Sequence, residues 1–201
     1  MPSMVSVSSP RPGRPRSTSA APKVMRAALE LAFEGGIQHA TVERISTVSG
    51  VAKSTIYRRW PNAAAIVMDA FFEEVGPTIA YDLRLPIVEN FCHSVGALVV
   101  ALKGSRGQLL RELLGAAQAD PDLREAFVER WIMPRRRMGR EAIEGAIARS
   151  ELRPEIDPEL TLDLIYGAVY YHLTVSFSDI DESFAAKLVE EVLNPYLKAR
   201  A

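Results

Sequence analysis

Residues 53–60 concentrate side chains that bind polyanions. Cations and hydroxyl groups of this kind contact phosphate oxygens and the edges of bases in the major groove of DNA. The stretch carries no acidic residue. Its groups are Lys53, Ser54, Thr55, Tyr57, Arg58, Arg59 and Trp60. The composition predicts a helix that reads DNA, and the alternative is an ordinary helical hairpin with a solvated basic face.

Two short helices joined by a tight turn are expected to position these groups. Thr41 is a good N-cap, because its hydroxyl can accept an N–H of the first turn. Val42, Ile45 and Val48 are expected to form the buried face of the first helix. Gly50 then ends that helix, since glycine readily adopts positive φ. The arrangement predicts a helix-turn-helix, with Lys53, Ser54, Thr55 and Arg58 nearest the bases.

The charge distribution supports a basic N-terminal head that binds polyanions, followed by an acidic body. The 201 residues have a net charge of −1, yet residues 1–62 hold nine cations against three acids, and the remainder holds 15 against 22. The hydrophobic content of 48% indicates a soluble globular chain. No apolar run approaches the ~20 residues of a membrane helix, and no signal peptide is evident. A single cysteine, Cys92, fits a reducing cytoplasm.

Catalytic chemistry finds little support in the chain. There is no glycine-rich phosphate loop, no nucleophile elbow, and no His, Cys and carboxylate spacing typical of a metal site. We therefore expect no catalytic residue, no metal and no cofactor. A helical enzyme with an incidental basic head remains an alternative.

The ends of the head follow from composition and helix signals. Residues 1–21 are rich in Pro, Ser and Arg and predict a disordered basic arm. Arg14 and Arg16 are expected to enter a minor groove, and a solvated tail without contacts is the alternative. Residues 22–62 are predicted to form the DNA-binding domain, with a first helix over 22–34.

Residues 63–201 are predicted to form a helical body. Asp120 and Asp157 each precede a Pro and are expected to cap helices, and the last helix is expected over 182–198. Pro134 is expected to kink or divide the helix that follows Asp120. The run of Arg135, Arg136, Arg137 and Arg140 is interpreted as a salt-bridged surface, the alternative being a second nucleic-acid site.

The last two helices have unusually wide apolar surfaces. A helix that is apolar on two sides needs two partners, and a second subunit is one of them. The residues expected at this dimer interface are Leu164, Gly167, Ala168, Tyr171, Val175, Leu188 and Val192. A larger core within a monomer is the alternative.

A resemblance to a known family covers residues 21–70. The segments AALELAFEGG (27–36), ATVERIS (40–46) and SGVAKSTIYRRWPN (49–62) resemble the DNA-binding domain of the TetR family of bacterial transcriptional regulators. Where the family usually carries a Lys that meets a phosphate, this chain has Ala63. The resemblance implies an all-α fold, with a three-helix helix-turn-helix head followed by a larger ligand-binding and dimerisation body.

The resemblance also implies a function. We expect a dimeric repressor that binds a roughly palindromic double-stranded operator and is released by a small apolar or amphipathic effector. The effector-binding residues expected between 86 and 177 are Phe91, Leu110, Leu114, Phe127, Trp131, Tyr166 and Tyr170, with His93 or His172 as a polar tip. The alternative is a non-specific DNA-packaging protein. No membrane partner is expected.

Overall fold

The computed structural model describes residues 20–175 and 178–198. Its first three helices form the head: α1 (Ala20–Gly35), α2 (Val42–Ser49) and α3 (Lys53–Tyr57). The Thr41 hydroxyl caps α2 by accepting the N–H of Arg44 at 3.3 Å. Gly50 ends α2 with φ of 68°, a left-handed conformation that favours glycine. The predicted helix-turn-helix is therefore present.

The core of the head joins all three helices. Val24 and Ala28 of α1, Ile45 of α2 and Ile56 of α3 are fully buried. The prediction for Val48 is wrong, since 55% of its surface is exposed. A residue six positions after Val42 is rotated well away from it at 3.6 residues per turn, so Val48 leaves the buried face.

Helix α4 (Ala63–Val75) connects the head to the body. Asn62 caps it by accepting the N–H of Ala65 at 2.9 Å. The helix packs on α1 of the head and on two helices of the body. Ile66, Phe71 and Phe72 are buried, so α4 is anchored in both parts of the molecule.

The body contains six further helices in the described part of the chain. They are α5 (Ile87–Ala101), α6 (Ser105–Ala119), α7 (Pro121–Phe127), α8 (Met133–Ala148), α9 (Pro158–Val175) and α10 (Glu182–Leu193). Asp120 caps α7 by accepting the N–H groups of Asp122 and Leu123. Asp157 likewise accepts the N–H groups of Glu159 and Leu160 at the start of α9. Both predicted caps are confirmed.

A π-helical turn, Val128–Ile132, joins α7 to α8. Pro134 follows it in the first turn of α8. Because proline has no N–H and its ring crowds the carbonyl four residues back, a regular α-helix is disfavoured here. The wider turn accommodates the proline without breaking the helical path, which is the division expected at this position.

The end of the body differs from the sequence prediction. Helix α10 ends at Leu193 instead of Lys198, and a 3₁₀ turn, Asn194–Tyr196, follows it. Pro195 lacks the N–H that would continue the α-helical ladder. Leu197 then forms an isolated antiparallel bridge with Leu152.

The predicted minor-groove residues Arg14 and Arg16 lie outside the described residues, since both belong to 1–19. Within the described ranges no single helix is long and apolar enough to cross a membrane. Helices α5 and α6 meet the length and composition requirement only as a pair, bent by 88°.

Candidate nucleic-acid interface and ligand cavity

Helix α3 turns its polar side chains outward from the head. Ile56 anchors the helix in the core with no exposed surface. Thr55 is half-buried beside it. The exposed residues of this segment are Lys53, Ser54, Tyr57, Arg58 and Arg59. The structure thus brings the predicted DNA-binding groups of α3 together on one surface.

An ion pair connects α3 to α2 across this surface. Lys53 Nζ donates to Glu43 Oε1 at 2.9 Å, and both side chains are more than half exposed. This hydrogen bond raises the pKa of Lys53 and lowers the pKa of Glu43. Since an exposed pair of this kind is weak, Lys53 can exchange the carboxylate for a phosphate.

Trp60, which is predicted either to position the DNA backbone or to pack the head, lies inside the head. Only 4% of its surface is exposed, and its Nε1 donates to Asp69 Oδ2 at 2.8 Å. The guanidinium of Arg59 lies 4.9 Å from the centre of the indole ring. Trp60 therefore packs the head beside Arg59, while Thr41 is exposed at the N-terminus of α2.

A cavity of about 190 Å³ lies between α5, α8 and α9 in the body. Its walls are mainly apolar at the centre and charged at the rim. The lining residues are Leu98, Ile132, Arg135, Arg136, Leu162, Asp163, Tyr166, Gly167 and Tyr170. Arg136 at the rim forms ion pairs with Glu159 and Asp163.

Phenol groups form the polar part of this cavity. The hydroxyls of Tyr166 and Tyr81 share a short hydrogen bond, and Tyr170 Oη accepts the indole N–H of Trp131 at 2.6 Å. Burial raises the pKa values of Tyr81 and Tyr166, and it raises the pKa of Tyr170 to about 12. All three phenols are therefore neutral near pH 7 and can donate hydrogen bonds.

Arg135 is a charged residue of the cavity with an unusual environment. Its guanidinium lies 3.4 Å from the centre of the Trp131 ring, and Nη1 donates to the Trp131 carbonyl at 2.8 Å. Its Nε is buried and has no hydrogen-bond partner within the described structure. No described Asp or Glu forms an ion pair with it, and burial lowers its pKa. It nevertheless stays charged, because an arginine does not lose its proton in proteins.

Ser94 adds a second unsatisfied group to the same cluster. Its side chain is fully buried on α5, and its hydroxyl makes no hydrogen bond of good geometry to any described residue. The hydroxyl lies close enough to Tyr81 and Tyr166 to lower their pKa values against the larger effect of burial. Orphaned buried polar groups are uncommon and indicate a place where a ligand or water binds.

The predicted effector residues divide between the cavity and the solid core. Tyr166 and Tyr170 line the cavity, and Trp131 borders it. The other apolar candidates, Phe91, Leu110, Leu114 and Phe127, belong to the packed core. His93 is exposed on α5 and is not among the residues that line this cavity. His172 lines a separate surface pocket instead.

Sequence reasoning missed Tyr81, Ser94 and Arg135. The sequence predicts a salt-bridged surface for Arg135, but that environment belongs to Arg136 and to Arg140, whose guanidinium lies 3.7 Å from Glu159. A usable signal was present, since Arg135 follows Trp131 by four positions and such residues share a helical face.

An exposed apolar stripe runs along α9 beside the cavity mouth. The stripe consists of Leu160, Leu164, Tyr171 and Val175, each more than half exposed. Gly167 lies between stripe and mouth, and Ala168 is half-buried. Leu188 and Val192 of α10 are also half-buried. The predicted interface residues thus lie at least partly on the surface of the last two helices.

Neither metal nor thiol chemistry is supported by the described part of the chain. It contains no group of three or more His, Cys, Asp or Glu residues able to hold a metal ion. Cys92 is half-buried on α5, and burial raises the pKa of its thiol. A thiol with a raised pKa is a poor nucleophile.

Comparison with known proteins assigns both parts of the chain. Residues 24–70 match the family described as bacterial regulatory proteins, tetR family, and residues 89–192 match the tetracyclin repressor-like C-terminal domain. The HTH-type transcriptional regulator YdeS of Bacillus subtilis is 34% identical over 88% of this chain and 89% of its own. The DNA-binding transcriptional repressor TetR of Mycobacteroides abscessus is 24% identical over 85% and 90%.

Solved structures agree with this assignment. The TetR family transcription regulator SCO0332 superposes with a TM-score of 0.76 at 30% identity, over 89% of this chain and 99% of its own. FadR from Bacillus subtilis in complex with stearoyl-CoA has a TM-score of 0.67 at 20% identity, over 85% and 96%, and shares the fold. With its helix-turn-helix head and helical body, this chain belongs to the TetR family of DNA-binding transcriptional regulators.

Proposed function

We propose that the chain is a dimeric repressor whose two heads occupy successive major grooves of a roughly palindromic operator. The observation that carries the proposal is the outward surface of α3, a helix anchored by Ile56 and free of acidic residues. Lys53, Ser54, Thr55 and Arg58 read bases or adjacent phosphates. Thr41, Tyr57 and Arg59 hold the DNA backbone in place.

Dimerisation supports this arrangement, because family regulators act on DNA as dimers. The exposed α9 stripe, together with the partly exposed residues of α10, offers the apolar surface that a second copy can cover. Gly167 and Ala168 allow two helices to approach closely, since they have little or no side chain. A two-fold axis through this surface would relate the two heads, as a palindromic site requires.

The cavity serves as the effector site in this proposal, and Trp131 is its link to α4. The indole stacks on Phe72, with ring centres 4.8 Å apart, and lies 5.7 Å from the ring centre of Phe71. A ligand that displaces Trp131 therefore acts on α4 directly. Aromatic contacts of this closeness transmit small displacements, because the core has no free space to absorb them.

Asp69 continues this link from α4 into the head. It accepts the indole N–H of Trp60 at 2.8 Å, and it forms an ion pair with Arg130 of the π turn. The same carboxylate therefore contacts the head and the segment beside the cavity. Effector and DNA would be linked by a coupling free energy, each weakening the binding of the other.

The test is fluorescence anisotropy of the purified protein with labelled DNA from upstream of its own gene and with a scrambled duplex. A preference on the order of 10³-fold or more near physiological salt is expected for sequence-specific regulation. Equal and weak binding to both duplexes would instead favour a non-specific packaging protein, provided that other candidate operators also fail. Measurable substrate turnover without DNA binding would favour an enzyme.

A further inference from the structure

The cavity contains one charge that the described residues do not balance. Arg136 and Asp163 at the rim neutralise each other, with Glu159 as a second acid for Arg136. The phenols are neutral near pH 7 because burial raises their pKa values. Arg135 remains as a cation without an acidic partner in 20–175 and 178–198. A partly buried cation in this state attracts one negative charge.

The unused hydrogen-bonding groups suit a carboxylate. Nε of Arg135 is buried and unpaired. The Tyr170 oxygen already accepts the Trp131 N–H, so its own proton is available to donate. Carboxylates form their strongest hydrogen bonds with guanidinium groups, and a hydroxyl adds a second donor. Together with Tyr166, these groups are the polar part of the lining beside α8, and Ser94 of α5 lies close to Tyr166.

The other lining residues limit the polarity and the size of the rest of the ligand. Leu98, Ile132 and Leu162 are apolar, and Gly167 leaves space at the mouth. The volume of about 190 Å³ slightly exceeds an apolar cavity of about 150 Å³ that binds benzene. One ring with a carboxylate fits this space.

We propose that the cavity binds a small monocarboxylate with an apolar body about one ring in size, its carboxylate held by Arg135 and Tyr170. The proposal rests on the assignment of this cavity as the effector site. It gives the effector a chemical class: a monoanion with a compact apolar part. The bound carboxylate neutralises the charge of Arg135, and the ligand thereby contacts the residue that stacks on Trp131.

Isothermal titration calorimetry with benzoate as probe tests this proposal on the full chain. Benzamide is the matched neutral ligand, because it has the same ring and shape without the charge. Benzoate is expected to bind at least about tenfold more tightly than benzamide, which corresponds to ~1.4 kcal/mol. Equal affinities for the two, or no benzoate binding by the folded protein, would overturn the proposal.

Variants locate the interaction. Arg135→Gln is expected to lose at least about tenfold in benzoate affinity while changing benzamide affinity little. Arg137→Gln, an exposed position on the same helix, is the matched control and should bind benzoate as the wild type does. Should Arg135→Gln fail to fold, Tyr170→Phe provides the second test, with a smaller expected loss for benzoate only. Unchanged benzoate affinity in either folded variant would refute the carboxylate site.

Operator binding separates this proposal from the proposed function. Operator preference in the absence of benzoate depends on α3 and not on Arg135. If the protein prefers its operator but does not bind benzoate, the monocarboxylate is excluded and the regulator stands. If benzoate binds through Arg135 but no sequence preference is found, the site stands and the repressor assignment falls.

Discussion

The head and the body hold their functional groups in opposite ways. In the head, the cations in and just after α3 are exposed, and Lys53 is paired with Glu43 at the surface. In the body, Arg135 and Tyr170 are withdrawn from solvent and connected through Trp131. Cations that bind DNA can stay exposed to solvent, because the phosphates supply the attraction. A cavity that selects a small molecule must first exclude water.

This contrast predicts different consequences for stability, and Trp131 gives the largest effect. Trp131→Ala removes a fully buried ring that contacts Phe71 and Phe72, and it should lower the free energy of unfolding by about 3–5 kcal/mol. Tyr57→Ala, at an exposed site on α3, should change it by less than about 0.5 kcal/mol. Urea denaturation measures both. Similar losses in the free energy of unfolding for the two variants would contradict this difference between body and head.

Removal of Arg58, which the proposed function assigns to base contacts, should affect specificity without affecting folding. Arg58→Ala is expected to weaken operator binding by about 1–3 kcal/mol and to relax the preference for operator over scrambled DNA. Anisotropy with the two duplexes measures this change. Equal losses on both duplexes would show that Arg58 contacts only the backbone.

Asp69 is expected to carry part of the coupling between the two regions. Asp69→Asn keeps an acceptor for Trp60 but loses the charge that pairs with Arg130. The coupling free energy between benzoate and operator should fall by about 0.5–2 kcal/mol. It is obtained from operator affinity with and without saturating benzoate. Glu73→Gln, an exposed change on the same helix, should leave the coupling unchanged.

Arg59 should act on all DNA alike, because it is assigned to the backbone. Arg59→Ala is expected to weaken operator and scrambled DNA equally and to reduce the slope of log affinity against log salt by about one. A salt titration of both duplexes measures the slope. A loss of affinity confined to the operator would instead indicate that Arg59 contacts bases.

The smallest expected effect concerns the exposed ion pair. The hydrogen bond from Lys53 lowers the pKa of Glu43 below its ordinary value of 4.5. Its contribution to stability is therefore present above that value and is lost as the pH falls through the lower folded value. Thermal unfolding of the wild type and Glu43→Gln should differ slightly at pH 7 and converge in acid. A difference that grows in acid would contradict this sign.

The head could be predicted largely from its sequence, whereas the cavity could not. The cap at Thr41, the turn at Gly50 and the polar face of α3 are local features, set by residues a few positions apart. The cavity combines Arg135 with Tyr166 and Tyr170 of α9. Tyr81 and Ser94 lie close to Tyr166, and the Tyr81–Tyr166 hydrogen bond spans 85 positions. The periodicity within one helix does not indicate which residues of different helices lie close together. The errors at Val48 and α10 have local causes, in helical phase and in Pro195.

The positions of the tryptophans have a practical consequence. The chain contains two, Trp60 and Trp131, and the structure places one just after α3 and the other beside the cavity. Each is hydrogen-bonded through its indole N–H, to Asp69 and to Tyr170 respectively. The protein thus carries one intrinsic fluorescent reporter in the head and one in the body. Single-tryptophan variants would allow the arrival of a ligand and the response of the head to be timed separately.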